Sequence, residues 1–377
     1  MDLDQIQNMR SVGIIGGGLA GLSAAILLQR NGFLVVLYEQ KEVVRHRVCG
    51  EYISRESDRF LNNLGLDYDQ LGAPTINRFK LTSAGGVSIE RPLKMGARGL
   101  SRFRLESELL KLAEQAGVEV MEREKVEGLV RTKTGWEVES RNRTAHYGQL
   151  IGAWGKRSNL DKVIDRPFYR DDSALSGFLG VKYHRSADHA KDVIELHNFP
   201  GGYCGFSAIE DDKFCMCYLV NKQSVNDCNN SIEALEEEVL SRNTELRQLL
   251  TSSERLYDRP LVISNVSFAR KQTAELGFPV IGDAAGLIAP LSGNGMSIAF
   301  HSSKLVSDLI MQGLTGSNLL QQYKIEWHRH FNRRFKTGRW VQTFFGKGIA
   351  TETFLKAVSP FPKIADWIIQ QTHGETF

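Results

Sequence analysis

Residues 11–39, SVGIIGGGLAGLSAAILLQRNGFLVVLYE, constrain the fold of this chain more than any other stretch. Val12 to Ile15 reads as a short apolar strand, and Gly16, Gly18 and Gly21 complete G-x-G-x-x-G. An alanine- and leucine-rich helix opens at Leu19 and Ala20 and stops near Asn31-Gly32. A second strand ends at Glu39. This βαβ context turns a weak glycine pattern into a specific signal for a nucleotide pyrophosphate. Gly16 permits the tight turn, Gly18 lets the pyrophosphate reach the backbone, and Gly21 lets the helix pack close to the strand. The helix N-terminus offers unpaired N–H groups and the positive end of its dipole. Glu39, 18 residues after Gly21 and followed by Gln40, is placed to accept hydrogen bonds from a ribose. Its charge would repel a 2′-phosphate, which excludes NADP here and leaves NAD and FAD open.

A second glycine stretch, residues 277–313, points to a long cofactor. A short strand, Val280-Ile281, is expected to run into Gly282-Asp283, followed by a turn through Pro290 to Gly293-Asn294-Gly295. A helix begins there, with Met296, Phe300, Leu305 and Leu309 at roughly helical spacing. Asp283 suits a polyol hydroxyl, and the amides at 293–295 suit an electron-poor ring whose reduced form carries negative charge.

Four segments, taken in order, resemble the FAD-dependent family that includes p-hydroxybenzoate hydroxylase-type monooxygenases and geranylgeranyl reductases. They are residues 11–39, SRFRLESELLKLAEQAGVEV (101–120), LIGAWGKRSNLD (150–161) and VIGDAAGLIAPLSGNGM (280–296). The resemblance implies an α/β fold: a Rossmann-like FAD lobe with a parallel sheet, an α+β substrate lobe with a mostly antiparallel sheet, and C-terminal helices. It implies tight, non-covalent FAD, with Arg102 approaching the cofactor, Val126 meeting the adenine, Asp283 the ribitol, and Pro290, Gly293, Asn294 and Gly295 the isoalloxazine. The segment RVCGEYIS resembles the cysteine-glycine loop of the reductase branch, so Arg47, Cys49 and Gly50 are expected at the flavin. Glu51 or Tyr52 would then reach a substrate. Cys49, Glu51 and Pro290 are the weak catalytic candidates; flavin chemistry requires no protein nucleophile.

The chain departs from the family at two places. Gly152-Ala153-Trp154-Gly155 stands where the family has glycine-alanine-aspartate-glycine, and Trp154 offers a large face and one donor instead of a carboxylate. Reduction by NAD(P)H is therefore one expectation, and electrons from a separate donor protein are the other. In the middle region Gly205 sits where reductases of the family carry tryptophan, with Tyr203 and Phe206 as pocket candidates. The halogenase pattern W-x-W-x-I-P is absent, which argues against halogenation.

The remaining features bound the answer. A chain of 377 residues suggests two lobes, divided as FAD-binding 1–72, 100–164 and 272–318, substrate lobe 73–99 and 165–271, and a helical segment 319–377. A composition 42% hydrophobic and 24% charged fits a folded chain. No apolar run approaches bilayer length, and the polar start MDLDQIQNMR lacks a signal-peptide core, so a cytoplasmic protein is expected. A net charge of +3 does not argue for nucleic acid. Five cysteines without CxxC spacing read as buried thiols, and no metal site is expected. Residues 231–250 read as one charged amphipathic helix. The basic, aromatic segment 323–348 reads as a helix packed on the FAD lobe, with a peripheral membrane contact and a nucleic-acid surface as the alternatives. The leading expectation is an FAD-dependent monooxygenase of an aromatic or lipid-like molecule. The alternatives are a flavin enzyme saturating C=C bonds of a prenyl or polyketide chain, and a non-catalytic flavoprotein that senses redox state or binds a membrane.

Overall fold

The computed structural model describes residues 10–169, 177–266, 268, 271–274, 276–288 and 293–377. Strand Ser11–Ile15 lies between Gln149–Gly152 and Leu34–Tyr38, with Glu119–Met121 outside the latter, and all four run parallel. These strands read as near-continuous apolar runs because both faces are covered, one by helices and the other by a three-stranded antiparallel sheet, Val126–Arg131, Trp136–Ser140 and Thr144–Tyr147, whose Tyr147 lies over Gly13. The glycine-loop helix Leu19–Arg30 is buried almost throughout, packed against Arg102–Ala116 and Gly295–Met311. The expected strand at Val280-Ile281 is reduced to a single parallel bridge, Val280 with Gly152.

Among the described residues, the second sheet has nine strands, antiparallel except where Val193–Phe199 runs parallel to Thr75–Thr82. Side chains alternate across it, so its two faces do different work. On one face Cys204, Phe206 and Met216 form a core with Leu235 and Leu246 from the covering helices. On the other, Leu81, Leu196, Tyr203 and Leu219 meet Val341, Phe345 and Leu355 from the C-terminal helices.

Residues 231–250 do not form one helix. They split into Ile232–Glu238, a 3-10 turn and Thr244–Ser252. Asn243 is the cause: its Oδ1 caps the second helix by accepting the Glu245 and Leu246 N–H groups. Its Nδ2 donates to Thr82 Oγ1 (2.9 Å) and to the Asn198 carbonyl (3.0 Å). That long-range anchor outweighs the local helical spacing.

The long helix Gly316–Gln342 buries Tyr323, Trp327 and Phe331 against the nucleotide lobe. Two shorter helices follow, Ile349–Val358 and Pro362–Thr372, broken around Pro360 and Pro362 as the sequence suggests.

Candidate functional site

The glycine loop shows which of its positions are structural and which face a ligand. Gly16 has φ +114°, and a Cβ there would stand 2.4 Å from the Ala153 carbonyl oxygen. A Cβ on Gly21 would come within 1.9 Å of the Gly16 carbonyl oxygen. Gly18, by contrast, has nothing within 4 Å on that side, as do Gly50 and Gly155. These three bare positions line one cavity of about 710 Å³. Glu39 is held at its edge, accepting the Gly17 N–H (3.0 Å) and the Lys41 N–H (3.0 Å). Leu19, Ala20, Gln40, Val126, Gly282, Asp283, Gly293, Gly295 and Met296 line the same cavity.

Where the two lobes meet, Glu106 joins two arginines. It accepts Arg47 Nε at 2.8 Å and pairs with the Arg102 guanidinium. Arg102 Nε is buried at the cavity without a partner among the described residues, which fits a cofactor oxygen. Lys271 donates to the Lys156 and Asp283 carbonyls (2.7 and 3.0 Å), fixing the Asp283 backbone; burial pulls its amine down to about 8.

The cysteine-glycine loop is bound to the substrate sheet. Cys49 Sγ faces the Glu51 N–H at 3.5 Å, and its carbonyl accepts the Cys215 thiol at 3.3 Å. Cys215 and Cys217 share a face, as their spacing requires, and burial raises both thiols, that of Cys217 to about 12. Glu51 departs from the expectation of a substrate-facing carboxylate. It is fully buried at φ +55°, and its carboxylate accepts the Arg102 N–H (2.9 Å), the Lys182 ammonium and His184 Nε2 (2.6 Å). Burial alone would push this carboxyl up. The His184 hydrogen bond and the Lys182 charge outweigh burial and hold it below the ordinary range. Such a group anchors a loop rather than moving protons at a substrate.

Trp154 is a wall of the cavity whose donor points away from it. Its Nε1–H donates to Asp161 Oδ1 at 2.9 Å, and buried Asp161 also holds Arg166 at 3.0 Å and the Ser158 N–H at 3.0 Å. Tyr52 lies beside Gly293, where an added Cβ would meet its ring at 2.9 Å. Burial, with the nearby Glu56 charge, raises its phenol far above its usual value.

Two expected site residues are placed elsewhere. Phe206 is fully buried on the far face of the sheet, stacked on Phe214 at 5.0 Å, because it has opposite parity to Tyr203 on the same strand. Asn294 turns its amide to the Thr372 carbonyl (2.6 Å) and does not line the cavity. Pro290 lies outside the described residues.

The sequence reading missed half of the wall. Beyond the loop the cavity widens into an apolar chamber between the sheet and the C-terminal helices, bounded by Leu81, Leu196, Tyr203, Phe345, Leu355 and Ile369. Arg91 grips Asp366 with two hydrogen bonds (2.8 and 3.0 Å), and Glu352 accepts the Gly85 N–H (2.7 Å), so these helices form a pinned roof. The available signal was the apolar spacing of Val341 and Phe345, and of Ala365, Ile368 and Ile369.

Two lobes around this cavity define an FAD-dependent flavoprotein fold. The bare glycines, Glu39, Asp283 and the orphaned Arg102 Nε fit that cofactor. The FAD binding domain family matches residues 9–336, and the chain belongs to it. The chain is 22% identical over 369 residues to conditioned medium factor receptor 1 of Dictyostelium discoideum, covering 90% of this chain and 71% of that one. Kynurenine 3-monooxygenase of Stenotrophomonas maltophilia is 24% identical over 330 residues, with coverages of 80% and 72%. Tryptophan 2-halogenase of Chondromyces crocatus is 22% identical over 387 residues, with coverages of 93% and 70%. The structure of a geranylgeranyl bacteriochlorophyll reductase-like protein of Thermoplasma acidophilum superposes with TM-score 0.76 at 16% identity, over 96% of this chain and 95% of that one, a likeness of fold. The chain is an FAD-dependent oxidoreductase. Among the described residues no helix is long and apolar enough to cross a membrane, and no group of three His, Cys, Asp or Glu is placed to hold a metal.

Proposed function

We propose that this oxidoreductase is a monooxygenase of an apolar small molecule. The observation that carries the reading is the continuity of one cavity from the two glycine stretches into the apolar chamber under the roof helices. FAD, when bound, supplies the two-electron chemistry that activates dioxygen. The protein's own contribution is placement. Gly16, Gly18 and Glu39 would hold the adenosine diphosphate end, Arg102 and Asp283 the middle, and Gly293 and Gly295 the ring end. The N-terminus of helix Gly295–Met311 puts a positive dipole end there. Tyr52, Trp154 and the chamber side chains exclude water and orient the substrate.

The Cys49-Gly50 loop supports a second reading, reduction of C=C bonds in a prenyl or polyketide chain. The halogenase relative adds a third, against which stands the missing W-x-W-x-I-P pattern. Product analysis separates the three. Oxygenation requires dioxygen and incorporates label from ¹⁸O₂, reduction proceeds anaerobically, and halogenation requires halide. Full turnover without oxygen or halide would overturn the leading reading. Trp154, whose only donor is committed to Asp161, leaves the electron source between NAD(P)H and a separate donor protein. Anaerobic mixing with NADH, NADPH or a ferredoxin-type donor distinguishes them by which one bleaches the flavin. A non-catalytic flavoprotein would take up one equivalent of reductant and turn nothing over.

A further inference from the structure

The large apolar side chains from Tyr323 to Trp367 differ in exposure along the C-terminal helices. In the long helix Tyr323, Trp327 and Phe331 are buried and Trp340 is exposed, and beyond it the roof-helix region exposes Ile349 (84% exposed), Phe361 (56%), Ile364 (46%) and Trp367 (57%). Phe361, Ile364 and Trp367 recur every three residues, which sets them on one side of helix Pro362–Thr372. The adjoining stripe of that helix, Ala365, Ile368 and Ile369, faces the chamber. The apolar surface of the helix thus runs from the chamber round to the outside, where Phe361, Ile364 and Trp367 are about half exposed. Charge around this face is one-sided. Residues 336–371 contain two acids, Glu352 and Asp366, and both are bound to the substrate lobe. Lys336, Arg339, Lys347, Lys356 and Lys363 in the same stretch are all exposed.

We propose that the roof helices dock on an anionic lipid bilayer, with Ile349, Phe361, Ile364 and Trp367 entering the interface and the exposed lysines and arginine meeting lipid phosphates. An amphipathic surface with aromatic and aliphatic tips and a cationic surround has the chemistry that binds such a membrane. Because the same helices wall the chamber, docking places the bilayer one helix away from the substrate. An apolar substrate then moves from lipid to chamber without crossing water. This supply role rests on the proposed function, whereas the docking does not, and the test below involves no turnover.

The flavin-loaded full chain is sedimented with vesicles of phosphatidylcholine alone or with phosphatidylglycerol. The expected result is pelleting with the anionic vesicles, weakened by salt, and a blue shift of Trp367 emission. In Phe361→Glu/Ile364→Glu/Trp367→Glu, partitioning falls by about tenfold or more. In Lys347→Glu/Lys356→Glu/Lys363→Glu it falls comparably on anionic vesicles. All these positions are exposed, and flavin content and melting temperature check that each variant is folded. No pelleting at low salt, or equal pelleting of wild type and both variants, would overturn the proposal. So would self-association that the first variant abolishes while wild type ignores vesicles, since the face would then belong to a second copy of the chain.

Discussion

The two ends of the cavity are built from different materials. The cofactor end is backbone. At Gly16, Gly18 and Gly21 its shape depends on the absence of a side chain, and Glu39 is aimed by neighbouring N–H groups. The chamber end is side chain, contributed by strands from three parts of the sequence and by roof helices from the C-terminal part of the chain. A backbone site tolerates almost no substitution. A side-chain chamber can be reshaped with little loss of stability, which lets one cofactor site serve many substrates.

Between the two ends lies the anchor at Glu51, and breaking it should have the largest effect. Glu51→Gln leaves Lys182 buried with no anionic partner, an expected loss of about 3–5 kcal/mol in chemical denaturation. The double variant Glu51→Gln/Lys182→Met should recover much of it. The carboxyl is depressed in the fold, so its contribution is present above the unfolded glutamate value and is lost as pH falls through the lower folded value. A wild-type stability loss beginning below about pH 4.3 should be flattened in the double variant. At the cofactor end, Gly21→Ala forces a Cβ against the Gly16 carbonyl. It should cost about 3 kcal/mol and yield protein without flavin, read from the visible-to-ultraviolet absorbance ratio.

His301, outside both ends, offers a smaller and separable effect. Burial, with His330 and Arg334 nearby, lowers its imidazole to about 3, and the ring stacks on Phe377 at 4.2 Å. The unfolded chain takes up that proton near pH 6.5 and the fold does not, so stability falls as pH drops from about 6.5 towards 3. About 2 kcal/mol should be lost between pH 6.5 and 5, and the slope should be shallower in His301→Phe. The smallest stability effect is expected in the chamber. At Gly205, which lines the cavity, an added Cβ would sit in ordinary van der Waals contact with the Cys217 carbonyl and Leu196, both 3.6 Å away, so Gly205→Trp starts without a clash. It should change stability by about 1 kcal/mol, at the low end of small-to-large substitutions, while filling the chamber.

The same contrast explains what the sequence revealed. The cofactor end was legible because a pyrophosphate turn needs glycine at fixed short spacings, and strand, turn and helix are adjacent in the chain. The nine-stranded sheet was expected only as the mostly antiparallel substrate sheet that the resemblance implies, and its pairing was not legible. Whether Tyr203 or Phe206 faced the chamber depended on a register that only the folded sheet fixes. Glu51 was visible as a carboxylate beside the flavin loop. Its partners Lys182 and His184 lie on a strand over 130 residues away, with nothing local to signal the contact. The roof was missed for the same reason, since Arg91 and Asp366 meet across 275 residues.

The central claim is that flavin and an apolar molecule occupy two ends of one cavity at once. Titration of the flavin-loaded protein with an apolar fluorophore such as Nile red, in wild type and Gly205→Trp, tests it most directly. The account predicts one saturable probe site per flavin in wild type, with a shift in the flavin absorbance as the probe fills the chamber. In Gly205→Trp that site and that shift should disappear while flavin content stays unchanged. Probe binding that survives Gly205→Trp intact, or flavin lost together with the probe site, would contradict it.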